Sequence, residues 1–194
     1  MTHMYPDLLV LRHGQTLWNS EHRMQGHLNS PLTALGVRQA QDQNAILADL
    51  NLDGFSYYSS PQGRAFQTAG LALAGIATTI TTSDLLMEVD MGIWSGKTLD
   101  EVLQEKGVAP QDYTDLDLYD WIPDGEGMSG LFERCRRFLG RLNGPSVIVT
   151  HGMTSRCLRA IALGKTLENI TELPGGQGIV HCVKGGQHTT LKKT

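Results

Sequence analysis

Apolar and polar positions alternate in two distinct rhythms along the chain. Residues 8–11 form a short apolar run that ends on Arg12-His13-Gly14, the pattern of a buried strand delivering polar groups at its carboxyl end. Residues 33–50 keep helical spacing through Leu35, Val37, Ala40, Ile46, Leu47 and Leu50, behind a Ser-Pro-Leu-Thr start. A second strand is expected at 55–59 and a helix at 61–74, opened by Pro61, whose missing N–H costs nothing in a first helical turn. The β-branched stretch 77–82 predicts a third strand, 98–106 a short helix and 127–142 a longer one. Residues 107–125, rich in Asp, Tyr and Pro, predict an irregular segment. Residues 146–150 repeat the first strand's design, ending on His151-Gly152 ahead of an apolar-periodic helix through Met153, Cys157, Leu158, Ile161 and Ala162. The tail, 178–183 and 189–191 around Gly185-Gly186, predicts a hairpin or a pair of edge strands.

Strands that alternate with helices imply an α/β fold, a three-layer α/β/α sandwich around a mostly parallel sheet. In such sheets ligands bind beyond the carboxyl ends of the strands. Two strands here carry histidine-glycine pairs to that edge, so one shared pocket is expected. With 194 residues, one domain over 1–194 suffices.

Charge narrows the ligand. A net charge of -4 leaves no broad basic face for nucleic acid or an anionic membrane, so any anion must be held by a few local cations. Cys135, Cys157 and Cys182 are odd in number and lack a CxxC pair, which points to reduced thiols and a cytoplasmic protein rather than to disulfides or zinc. The first residues lack the basic and apolar stretches of a signal segment, and no apolar run is long enough to span a membrane. His3, His22, His27, His181 and His188 show no metal-ligand spacing and are assigned surface or structural roles; neither metal nor cofactor is expected.

Arg12-His13-Gly14 suits a phosphate. Arginine offers a planar fork of donors, a neutral imidazole nitrogen can attack phosphorus, and glycine lets backbone approach closely. The triplet alone arises often by chance. The context is larger: 11–40, reading LRHGQTLWNSEHRMQGHLNSPLTALGVRQA, resembles the opening of the histidine phosphatases, a superfamily that includes cofactor-dependent phosphoglycerate mutases. The resemblance continues in Ser59-Ser60-Pro61-Gln62-Gly63-Arg64-Ala65, in Glu88-Val89-Asp90-Met91-Gly92-Ile93-Trp94-Ser95-Gly96 and in Val149-Thr150-His151-Gly152.

The resemblance implies a phosphoglycerate mutase-like fold, a phosphorylated His13, a phosphate pocket from Arg12, Arg64 and His151, and Glu88 as general acid and base. It adds Asn19 and the Gly152 amide as phosphate contacts. The chemistry is coherent, because phosphate monoester hydrolysis is among the slowest reactions known and requires on the order of 20 kcal/mol of barrier lowering. Arg12, Arg64 and a protonated His151 would neutralise the phosphoryl oxygens. His13 attacks as the neutral ring, its other nitrogen donating to a backbone carbonyl. Glu88 protonates the leaving oxygen and then activates water.

The implied activity is phosphomonoester hydrolysis of a small phosphorylated metabolite. A cofactor-dependent phosphoglycerate mutase is the alternative, and a noncatalytic phospho-ligand binder the second. Mutases of this kind carry a longer insertion and basic residues after the acid, whereas here Val89, Asp90 and Met91 follow Glu88, and Lys97 is the nearest cation. Asp112, Asp115, Asp117 and Asp120 make 107–125 acidic, which disfavours large polyanions. The chain departs from the phosphatase pattern at Ser95, where Trp-Glu-Gly is common, and at Gly127, where Gly-Glu-Ser is common. Trp18 and Trp94 belong either to the pocket mouth or to the core.

Overall fold

The computed structural model describes residues 5–114, 116–123 and 125–193; His3 and Asp115 lie outside them. In chain order the elements are β1 (Leu8–Arg12), α1 (Leu17–Ser20), α2 (Ala34–Ala48), β2 (Ser56–Ser59), α3 (Gly63–Ala72) and β3 (Thr81–Thr82). They continue with α4 (Leu99–Lys106), α5 (Asp117–Asp120), α6 (Gly127–Leu139), β4 (Ser146–Thr150), α7 (Gly152–Ala162), β5 (Val180–Lys184) and β6 (Gln187–Leu191).

The sheet runs β3-β2-β4-β1-β5-β6. Its first four strands are parallel, β5 is antiparallel to β1, and β6 returns antiparallel to β5. Alternation along the central strands divides the core. Leu8, Val10 and Ile148 pack on one face with α6 and α7, while Leu9, Leu11, Val147 and Val149 pack on the other with α2 and α3. Helices therefore cover both faces, and the sheet is the middle layer of an α/β/α sandwich. Burial on both sides explains why β4 reads as an unbroken apolar run.

Differences from the sequence reading are local. The third strand shrinks to two residues because it is an edge, with pairing on one side only, at Tyr58–Thr81 and Ser59–Thr82. Pro61 precedes α3 rather than opening it, since Gln62 is still extended at ψ 131°. The longer helix stops at Leu139, where Gly140 follows. Helices α1 and α5 were not expected; four residues carry no periodicity. The tail is a hairpin turning through Gly185 and Gly186 at φ 56° and 72°, the left-handed pair that a two-residue turn demands.

One register matters most. Arg12 pairs with Thr150, and the His13 amide donates to the Thr150 carbonyl at 2.9 Å, so the two histidine-glycine pairs leave the sheet side by side.

Candidate active site

His13 is 3% exposed and His151 fully buried, and their rings meet edge to face with centroids 5.2 Å apart. Nδ1 of His13 lies 2.8 Å from its neighbour's carbonyl, Gly14 O, which fixes the proton on Nδ1 and leaves Nε2 with a lone pair. Nε of Arg64 donates to that lone pair at 3.2 Å. Burial first, then Arg12 and Arg64, hold the His13 ring well below the ordinary histidine range, so it is neutral near pH 7.

Arg64 stands in the first turn of α3 and is 1% exposed, its side chain turned back to the sheet edge. Nη1 donates to Leu28 O at 2.7 Å and Nη2 to Gly26 O at 2.9 Å, so the cation also anchors the loop before α2. Burial lowers its pKa to about 10, opposed by Glu88, which leaves it charged at neutral pH. Arg12 is likewise lowered by burial and raised by Glu88. Its Nε is buried without a hydrogen-bond partner among the described residues, as is Nδ1 of His151. Buried polar atoms left unpaired are costly, and two of them beside a pair of cations fit an anionic ligand.

Glu88 reaches the N-terminus of α7. Its carboxyl accepts from the Met153 amide at 3.1 Å, the Thr154 amide at 3.1 Å, the Thr154 hydroxyl at 3.0 Å and the Val89 amide at 3.2 Å. A helix that begins on His151 has no side-chain cap of its own, and Glu88 supplies it from another part of the chain. The Gly152 amide is the member of that first turn with no protein acceptor among the described residues.

Arg12, His13, Asn19, Arg64 and Glu88 share the wall of one cavity of about 130 Å³ with Arg23, Met24, Gln25, Val89, Met91 and Tyr119. His151 and Gly152 do not line it. His151 adjoins it through the His13 ring, and Gly152 lies where an added Cβ would be 3.6 Å from both Arg12 and Glu88. Asn19 Oδ1 is taken by the Thr16 amide and by Gln177, leaving its amide nitrogen as the donor for a ligand. A larger hollow of about 510 Å³, lined by Tyr5, Phe132 and Leu167 among others, holds none of the expected site residues.

Two expectations change. A protonated His151 is not what the free protein holds: burial, then Arg64, His13 and Arg12, press its pKa well below the usual range. Gly14 is required not by a ligand but by α2, since a Cβ there would stand 2.2 Å from Gly36 O. Trp94 resolves as core at 2% exposure, and Trp18 packs beside Gly96. Lys97 is paired with Glu105. In the acidic segment 107–125, Asp117 and Asp120 accept from the Thr114 and Met128 amides.

Sequence reasoning missed the supporting residues. Ser60 Oγ lies 2.8 Å from His151 Nε2, Gln177 donates to His13 O at 3.0 Å, and Arg134 donates to Leu85 O, Met87 O and Glu88 O while pairing with Glu126 at 2.6 Å. Thr154 had a signal, three residues after His151 in a helix start; Gln177 and Arg134 had none. The departure at Gly127 also acquires a reason, because its φ is 59° and a Cβ would meet Asp120 Oδ1 at 2.8 Å.

A family model of the histidine phosphatase superfamily (branch 1) matches residues 8–192. The chain belongs to that superfamily. A probable phosphoglycerate mutase, GpmB, of Yersinia pestis is 32% identical over 161 residues, covering 80% of this chain and 74% of that protein. Among solved structures, the alpha-ribazole phosphatase of Shigella flexneri superposes with a TM-score of 0.81 at 25% identity, covering 97% of this chain and 96% of the other. A mycobacterial glucosyl-3-phosphoglycerate phosphatase, solved with VO3, gives 0.80 at 26% identity, covering 97% and 98%. The histidine phosphatase fold thus carries this site at the carboxyl edge of its sheet.

Proposed function

We propose that this histidine phosphatase hydrolyses a small phosphorylated metabolite through a phosphohistidine on His13, within one domain over 1–194. The observation that carries the reading is the state of His13: a neutral ring, its proton held on Nδ1 by Gly14 O, with Nε2 at the cavity beside Arg64.

Arg12 and Arg64 draw the phosphoryl group in and take its oxygens, joined by the Asn19 amide and the Gly152 N–H. Ser60 donating to Nε2 of His151 puts that ring's proton on the unpaired Nδ1, a neutral donor for a further oxygen. Nε2 of His13 forms the bond to phosphorus as the ester P–O bond breaks, and Glu88 gives a proton to the departing oxygen. Water then attacks the phosphohistidine, Glu88 takes its proton, and phosphate leaves with His13 restored.

Similarity to two proteins named as phosphatases supports hydrolysis. The mutase alternative draws on the relative named as a probable mutase. Against it stand the pairing of Lys97 with Glu105 and of Arg23 with Glu21, which leave few free cations for a second phosphate or a carboxylate. Metal-independence belongs to the same proposal: among the described residues no three His, Cys, Asp or Glu side chains are grouped to hold a metal ion. A cytoplasmic location is proposed from the free cysteines; among the described residues no helix is long and apolar enough to cross a membrane.

The test is rapid-quench turnover of p-nitrophenyl phosphate with EDTA present, against a panel of phosphorylated metabolites. An acid-labile, base-stable phosphoenzyme that forms in the protein and not in His13→Ala is expected. Activity that requires added metal, or conversion of 3-phosphoglycerate to 2-phosphoglycerate faster than hydrolysis, would overturn it.

A further inference from the structure

Behind Arg12 lies a second, smaller concentration of positive charge that the proposed reaction does not use. Arg159 is fully buried on α7, and its guanidinium donates to Ser155 O at 3.1 Å and Pro174 O at 2.9 Å and meets Nε2 of His188 at 3.3 Å. His188 in turn lies 3.2 Å from Nδ1 of His181, which is 1% exposed. Arg156 stands one turn before Arg159 and is held through Nε by Leu173 O at 3.1 Å, with Nη2 against Gly175. Among the described residues no carboxylate forms an ion pair with Arg156 or Arg159.

Buried cations are ordinarily paired, because removing a charge from water is costly unless a counter-charge offsets it. The field of this cluster is felt locally: burial, then Arg159, His188 and Arg156, press the His181 pKa down to about 3, with no acid opposing. A cleft of about 20 Å³ opens among these residues, walled by Arg12, Ser155, Arg156, Arg159 and His181. Such a volume admits about one water-sized particle. Ser155 is 2% exposed, and its hydroxyl has no hydrogen-bond partner among the described residues, a second buried group left for something in the cleft to satisfy.

We propose that this cleft binds one chloride-sized inorganic anion, held by Arg156, Arg159 and the Ser155 hydroxyl. Its small volume suits a single small ion, and its chemistry is charge neutralisation with a single hydroxyl donor. The ion sits across Arg12 from the phosphate cavity, whose wall that arginine also forms. The site does not depend on the catalytic reading and is tested without turnover.

Crystals of the full chain grown in sodium bromide are expected to give an anomalous peak in the cleft, within hydrogen-bonding range of Ser155 Oγ. In solution, chloride or bromide is expected to raise Tm over gluconate at matched ionic strength, by about 3 °C near tenfold saturation. Ser155→Ala should cut that rise by half or more, and Arg159→Met should remove it. If Arg159→Met fails to fold, the bromide map and Ser155→Ala still decide. Absence of a bromide peak in the cleft, with equal Tm in halide and gluconate, overturns the proposal, as does stabilisation by acetate and not by halide.

Discussion

The guanidinium of Arg64 donates its Nε–H to Nε2 of His13 across 3.2 Å, so a permanent cation keeps the nucleophilic nitrogen free of a proton. The same guanidinium is braced by Gly26 O and Leu28 O, which fixes its plane. When a phosphoryl group arrives, the donor can pass from the ring to an oxygen while the ring turns its lone pair to phosphorus.

Arg64→Lys should therefore behave as a severe change. An ammonium has three donors on a single nitrogen and cannot span His13, Leu28 O and Gly26 O as the planar fork does, so kcat/KM for p-nitrophenyl phosphate is expected to fall about a hundredfold. His13→Ala should lose activity by on the order of a thousandfold or more and form no phosphoenzyme. Unimpaired turnover in the Arg64→Lys variant would remove this arginine from the mechanism.

Acid should destabilise the fold through its histidines. His13 and His151 have folded pKa values well below the ordinary range and His181 one of about 3, so the unfolded chain binds protons that the native one refuses. Their contribution is complete above the unfolded pKa, about 6.5, and is lost as pH falls below it, by about 1 kcal/mol per pH unit for each ring. Urea titrations at pH 7, 6 and 5 should show this slope, and His181→Asn should lessen it.

Thr154 holds Glu88 through its amide, and its single hydroxyl proton is shared between Glu88 at 3.0 Å and Met87 O at 2.8 Å. Thr154→Val keeps the shape and removes the hydroxyl. We expect kcat to fall roughly tenfold with KM little altered, the mark of a positioning residue. An unchanged kcat would confine Thr154 to packing.

Two glycines beside the histidines should respond in opposite ways. Gly14→Ala places a methyl 2.2 Å from Gly36 O, backbone that cannot retreat, and is expected to cost more than about 3 kcal/mol in chemical denaturation. Gly152→Ala meets only ordinary contacts at 3.6 Å, so stability should stay within about 1 kcal/mol while KM rises, the methyl lying between Arg12 and Glu88.

The sandwich and the two histidine-bearing strand ends were legible because β1 and β4 bury both faces, which leaves an unmistakable apolar run ending on polar residues. Arg64 was legible only through the resemblance carried by the motif at 59–65. The wall of the cavity was less so. Tyr119 and Arg23 come from segments without periodicity, and Gln177 acts over 164 residues of separation, a contact that no local pattern encodes. That His151 is neutral in the free protein was not legible, because burial is a property of the packed state and the charges that add to it, first that of Arg64, are remote in sequence.

Glu88 both fastens the first turn of α7 and carries the proton in the proposed cycle. Chemistry and architecture thus share one carboxyl, and every proton it gains weakens the grip on the Met153 and Thr154 amides. Deuterium uptake at those two positions becomes a meter of the reaction's progress, quickening whenever the acid form accumulates.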